Sequence, residues 1–306
     1  MHVKPLWTYF FLGLFIAVPM GCGDSDDDDD SNKDSASDND SDTGANSTEN
    51  EDTTDVPEIV CDDVGTGGNT FRTAYGAATI PVEGSDKTYI IHTNWWYEYD
   101  GQTVTYDGLS FTVGNPNGVD VGSVGAPAGY PSIYIGSYSG RRSAESNLPI
   151  LVSDIESVPT IFETNGTEGG IDNKNAAYDV WFTASGDPLP NNQYTPGAGG
   201  AFLMVWTFDP PDRQPRGAIS SPEHAVDGVE GAWDVWVDPS NPPCISYVST
   251  TPVDDLAFDL NKFIRDSIDN EFGITDEMYL SVIFGGFEIW GGGDGLALER
   301  FCAEVN

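Results

Sequence analysis

The chain has 306 residues, 50 of them acidic and 12 basic, for a formal net charge of −38. That balance excludes nucleic acid, anionic membrane surfaces and acidic polymers as partners, because phosphate and carboxylate partners need clustered Lys and Arg. A neutral substrate stays open. The 35 Gly, 20 Pro and 12% aromatic residues suit a turn-rich β-protein.

The N-terminus reads as a targeting segment. His2 and Lys4 precede an apolar run from Leu6 to Val18, too short to span a bilayer comfortably. Met20-Gly21-Cys22 then leads into a polar tail. This resembles a bacterial lipoprotein signal, with residues 1–21 removed and Cys22 lipidated, although Pro19 stands where that signal usually has Leu. An ordinary secretory signal and a retained anchor are the alternatives. All three export the domain, and lipidation would hold it at a cell surface or periplasmic face. Residues 22–57 are acidic and rich in Ser, Asn and Thr, so they read as a disordered tether. Calcium binding by its Asp repeats is the weaker reading, since no glycine falls where an EF-hand loop needs it around Asp38, Asp40 and Asp42.

From residue 58 to 306 the texture changes. Period-two apolar runs recur between turn signals at Thr88–His92, Leu109–Val113, Ser132–Ile135, Tyr178–Phe182, Phe202–Trp206 and Trp233–Val237. One segment predicts a helix, with Asp259 as N-cap and Leu260, Phe263, Ile264, Ser267 and Ile268 on one face. Many strands and one helix predict a single all-β domain, a two-sheet sandwich. If Cys22 is acylated, Cys61, Cys244 and Cys302 allow at most one disulfide, and the pairing stays open. No CxxC or Cys/His cluster supports a zinc site, and no metal or organic cofactor is implied. His92 and His224 read as ordinary surface or core histidines.

Gly286-Phe287-Glu288-Ile289-Trp290 ends in a glycine-rich turn. Alternation points Phe287 and Ile289 one way and Glu288 the other. An acid among aromatics is a candidate proton donor to a glycosidic oxygen, because an apolar setting raises its pKa.

Several motifs carry a resemblance. They are Thr93-Asn94-Trp95-Trp96, Tyr130-Pro131-Ser132-Ile133, Asn147-Leu148-Pro149, Ala177-Tyr178-Asp179-Val180-Trp181, and Gly286 to Leu296. In this order they resemble glycoside hydrolase family 12, the β-jelly-roll endo-β-1,4-glucanases and xyloglucanases. The resemblance implies a two-sheet jelly roll with a concave substrate cleft and one helix on the convex side. It also implies a retaining mechanism with two glutamates. Glu288 matches the acid/base. The nucleophile heads a Glu-x-Met-x-Trp strand, which here reads Phe202-Leu203-Met204-Val205-Trp206, so the nucleophile position is Phe202. Phe202, Met204 and Trp206 are expected on the cleft side. Asp179 matches an Asp that supports the nucleophile, and serves here as a residual support or a rescue base. Asn94 and Trp96 match sugar contacts, with Met204 and Trp206 lining the same cleft. Ser137 and Arg142 stand where many bacterial members have a disulfide, and Trp233 and Trp236 read as structural.

A phenyl ring cannot attack an anomeric carbon. The resemblance therefore implies a monomeric, lipid-anchored protein that binds a neutral β-1,4-glucan with lost or impaired hydrolysis. The alternative is an active endo-β-1,4-glucanase with Glu288 as acid/base and a relocated second carboxylate. A surface adhesion protein with a repurposed cleft is a third, weaker reading.

Overall fold

The computed structural model describes residues 59, 61, 68–96, 101–115, 126–166, 174–210 and 213–306. The signal, Cys22 and tether expectations fall on residues 1–57, outside the described residues. The strands in chain order are β1 (Asn69–Phe71), β2 (Ala77–Pro81), β3 (Thr88–His92), β4 (Thr103–Asp107), β5 (Ser110–Gly114), β6 (Ser132–Tyr138), β7 (Arg141–Arg142), β8 (Ile150–Leu151), β9 (Pro159–Thr164), β10 (Ala176–Thr183), β11 (Ala201–Phe208), β12 (Ala218–His224), β13 (Trp233–Asp238), β14 (Cys244–Ser249), β15 (Asp255–Asp259), β16 (Tyr279–Gly286) and β17 (Ala297–Ala303). The helix α1 spans Asn261–Asp269.

Two sheets face each other. The smaller runs β1-β4-β5-β17-β9-β15, and the larger runs β12-β13-β14-β11-β10-β16-β6-β3-β2. Nearly all pairs are antiparallel; β11 and β14 run parallel. The core between the sheets takes one side of each strand, such as Leu203 and Val205 of β11, Tyr178 and Val180 of β10, and Ile133 and Ile135 of β6. Two smaller clusters cover the other face of the larger sheet, one around Tyr134, Trp181 and Phe284 and one around Trp206 and Trp290. The central strands are thus covered on both faces, and they read as nearly continuous apolar runs.

All six segments that the alternation marks as strands are strands, the run at Leu109 beginning one residue later. The helix packs on the core side of the larger sheet, with the Phe263 ring 4.9 Å from Trp233 and 5.0 Å from Tyr247. Its cap differs from expectation. Leu260 occupies the cap position with helical angles, and Asp259 closes β15. Asp259 still serves the helix start, because its Oδ1 accepts from the backbone N–H of Asn261 at 3.0 Å and of Val158 at 2.6 Å.

Cys61 is bonded to Cys302 in β17, and Cys244 is a buried free thiol. The pairing that the sequence leaves open therefore joins the two ends of the folded domain.

Candidate active site

The cross-strand register defines the site. Asp179 pairs with Met204 on one side and Phe284 on the other, and Phe284 pairs with Tyr134. Two residues along, Ala177 pairs with Trp206 and Gly286, Gly286 with Ser132, and Ser132 with His92. The bridges Lys174–Ile289, Gly129–Ile289 and Trp95–Gly129 continue the same registers past the strand ends. They place Asn175, Glu288, Tyr130 and Asn94 on the next row of the same face. Successive same-face rows are about 7 Å apart. Asp179 and Glu288 therefore stand on two rows flanking a floor of small side chains, Ala177, Gly286 and Ser132. Gly286 must be glycine, since a Cβ there would lie 2.2 Å from the Pro131 carbonyl oxygen and 2.6 Å from Ser132 Cβ. The result is a groove with a carboxyl on each wall.

Asn175 holds Glu288 in place. Its Nδ2 donates to Glu288 Oε2 at 2.6 Å, and its Oδ1 accepts from the Glu288 N–H at 2.9 Å. The Asn175 N–H donates to the Glu288 carbonyl at 3.0 Å. Burial pushes the Glu288 carboxyl up to about 8, against the Asn175 bond and with help from the Asp179 charge. Asp179 is pushed up to about 7, again by burial. Its Oδ1 is buried with no hydrogen-bond partner. Tyr130, on the Glu288 row, leans over the floor, its hydroxyl donating to the Ala177 carbonyl at 2.9 Å. Burial first, then both carboxylates, raise its pKa.

These shifts set a pH dependence. Both carboxyls hold protons in the folded chain that the unfolded chain has already lost. Their contribution to stability is complete below about pH 4 and declines as pH rises through about 7 and 8. The Asp179→Asn/Glu288→Gln double variant is expected to gain on the natural protein across that window, by on the order of 2 kcal/mol at pH 9 after discounting for partial exposure. Denaturant melts at pH 5 and pH 9 check this; an equal stability difference at both would contradict it.

Phe202 is half-buried, one row farther from Glu288 than Asp179, and its ring meets Trp181 edge-on at 5.4 Å. Cys244 pairs with Phe202 on the neighbouring strand, and burial pushes its thiol up to about 12, so it offers no nucleophile. Met204 is half-buried on the groove side. Trp206 shares that face but is only 2% exposed, with Trp290 packed against it at 6.4 Å and Arg213 over the Trp290 ring at 5.4 Å. Trp206 thus supports the groove from beneath rather than lining it openly. Trp233 belongs to the core, whereas Trp236 is half-buried beside the Trp206 cluster.

Asn94 has φ +47°, a left-handed geometry that Asn tolerates. Its Oδ1 accepts from Trp96 Nε1 at 2.8 Å, leaving the Trp96 ring 44% exposed, while Trp95 enters the core. His92 is buried, held neutral by a pKa lowered to about 3 through burial, and its Nε2 lies 2.6 Å from Ser132 Oγ. His224 Nε2 lies 2.9 Å from Asp266 Oδ1 and ties β12 to α1. Ser137 and Arg142 make separate bonds, to the carbonyls of Leu189 and Leu148. The residue that sequence reasoning missed is Asn175. Counting back by twos from Asp179 through Ala177 would have placed it on the groove side.

A profile for Glycosyl hydrolase family 12 matches residues 87–306. A probable cellulase, Cel12b, of Mycobacterium tuberculosis is 32% identical over 163 residues, covering 53% of this chain and 99% of that protein. The structure of endoglucanase Cel12A from Rhodothermus marinus superposes with a TM-score of 0.66 at 29% identity, covering 78% of this chain and 99% of its own. A metagenome-derived family 12 endoglucanase gives 0.66 at 28%, with 78% and 98% covered. The matched stretch takes in Glu288, Asp179, Phe202 and Asn175, and on that span the chain belongs to glycosyl hydrolase family 12.

Proposed function

We propose that the domain binds a neutral β-1,4-glucan, such as cellulose chains, mixed-linkage glucan or xyloglucan, along this groove, and that retaining hydrolysis is lost. The reading rests on Phe202. Its ring is packed against Trp181 where the family's attacking carboxylate belongs, and no other side chain on that row carries an acid near Glu288. Family membership and the cellulase relative support a β-glucan ligand. Lipidation at Cys22, with residues 22–57 as a tether, would present the groove outside the cytoplasm.

One observation favours a second reading, in which hydrolysis survives by inversion. Asp179 carries an oxygen without a hydrogen-bond partner on the face it shares with Glu288, and burial raises both carboxyls well above the ordinary carboxylate range. This reading needs Asp179 ionised while Glu288 is protonated. Glu288 would then give its proton to the glycosidic oxygen as the C–O bond breaks. Asp179 would take a proton from a water attacking the anomeric carbon on the opposite face.

Calorimetry and reducing-end release on the three glucans decide between the two. Binding without release supports the glucan-binding reading. Release that vanishes in both Glu288→Gln and Asp179→Asn, with an inverted anomer by NMR, supports the second. Absence of both binding and release would sink both.

A further inference from the structure

We infer that Ser221, His224 and Asp266 form a second catalytic group, on the opposite face of the larger sheet from the groove, that hydrolyses small neutral acyl esters through an acyl-serine. The three make a continuous chain of hydrogen bonds. Ser221 Oγ lies 3.2 Å from His224 Nδ1, and His224 Nε2 lies 2.9 Å from Asp266 Oδ1 and 3.0 Å from Oδ2. That is a nucleophile, a base and a group that orients the base. The inference stands independently of the glucan reading.

A regular strand would not bring Ser221 and His224 together, because residues three apart point to opposite faces. Between these two, β12 takes three steps while β13 takes two, from Val235 to Trp233. The bulge turns both side chains to one face, the side on which Val235 and Trp233 enter the core. Glu223 sits inside the bulge at φ +48°, a left-handed geometry uncommon for glutamate, and its N–H donates to Asp234 Oδ1 at 2.9 Å. Asp266 comes from α1, which packs on that same side. A tie between β12 and α1 needs His224 and Asp266 alone. The bulge additionally aims a hydroxyl at Nδ1.

Asp266 also fixes the tautomer. Tyr247 donates its hydroxyl to Asp266 Oδ2 at 2.7 Å, and burial raises the Tyr247 pKa, so that donor keeps its proton. The carboxylate accepts from Nε2–H as well, which leaves Nδ1 as the acceptor for the Ser221 hydroxyl. The two ring nitrogens thus exchange the duties they have in the common Ser-His-Asp arrangement. His224 and Asp266 are largely buried, while Ser221 is half-buried with Ser220, Pro222 and Glu223 exposed around it. Among the described residues β12 ends its sheet, so its outer edge is open to a substrate carbonyl. An edge position suits a small acyl group such as acetyl, and the net charge of −38 favours a neutral ester. Ser221 Oγ attacks the ester carbonyl as its proton passes to His224 Nδ1. That proton leaves with the alcohol as the acyl–oxygen bond breaks. Water then attacks the acyl-serine, giving a proton to the same nitrogen, and that proton returns to Ser221 as the acid departs.

A fluorophosphonate probe and p-nitrophenyl acetate, applied to the natural protein, test this. The probe is expected to label Ser221, located by peptide mass spectrometry. Release of p-nitrophenolate is expected to fall at least about 100-fold in Ser221→Ala and in His224→Gln. Ser220→Ala, which removes the exposed neighbouring hydroxyl, is expected to leave labelling and release unchanged. Thermal melts verify folding, and Ser221→Ala decides alone if loss of His224 loosens the tie to α1. A natural protein that takes no label at Ser221 would overturn the inference. Release that persists in folded Ser221→Ala would overturn it too, as the mark of unspecific attack by surface groups. Ester hydrolysis is read separately from glucan binding, so either can fail without the other.

Discussion

Replacing Phe202 by Glu is expected to raise reducing-end release from β-1,4-glucans at least about 100-fold over the natural protein. The position already has its surroundings. Asp179 lies diagonally across the β10–β11 pair, one row nearer the groove, with an oxygen that finds no partner in the present structure. Burial raises the Asp179 pKa to about 7, so below that pH its carboxyl has a proton to donate. An introduced carboxylate would accept that hydrogen bond and stay ionised, as a nucleophile must. Glu288 needs no change, because Asn175 already fixes its Oε2. The folding cost is modest, since Phe202 is half-buried at the groove and not in the main core. Adding Glu288→Gln to the same variant should abolish the gain, and the anomeric configuration of the product should be retained. A folded Phe202→Glu protein with no gain would mean that the groove has lost more than one carboxylate.

The second large effect concerns stability. Removing the Cys61–Cys302 bond with paired Cys→Ala changes is expected to cost about 3–5 kcal/mol, because the two cysteines are 241 residues apart and the bond constrains a very long loop in the unfolded chain. For a domain of this size that corresponds to roughly 10 °C in Tm. Cys302 is fully buried in β17, so part of the loss comes from packing there. Reduction of the natural protein, which leaves both side chains in place, separates the two parts. A loss below about 1 kcal/mol on reduction would show that the unfolded chain gains little freedom from opening that loop.

Much of the fold was legible because alternation is a local signal. Runs such as Tyr178–Phe182 and Trp233–Val237 declare their period within five residues, and both are strands. The helix was legible too, while its cap was not. Asp259 is shared between the end of β15 and the helix start, and one sequence position cannot announce both duties. The site divides in the same manner. Glu288, Asp179 and Phe202 sit in motifs and could be named from the residues. Asn175 has significance only through its cross-strand partner Glu288, which lies 113 residues away in the chain. Trp206 shows the opposite limit. Its side of the strand follows from alternation, but its cover by Trp290 and Arg213 depends on a loop whose course the residues do not disclose.

The disulfide also decides how the domain meets mechanical force. Without it, a pull on the chain before residue 61 would reach β1 first. That strand has three residues at the sheet edge, held by β4 alone, and it would peel away one hydrogen bond at a time. With the bond in place, tension enters at Cys302 instead. Cys302 lies in β17, between β5 and β9, with Ile161 of β9 as its neighbour. Force there must slide a strand past its neighbours and strain several hydrogen bonds together. The bond converts an unzipping geometry into a shearing one. A domain held from its N-terminal end could therefore keep its grip on a polymer under tension for as long as that bond stays oxidised.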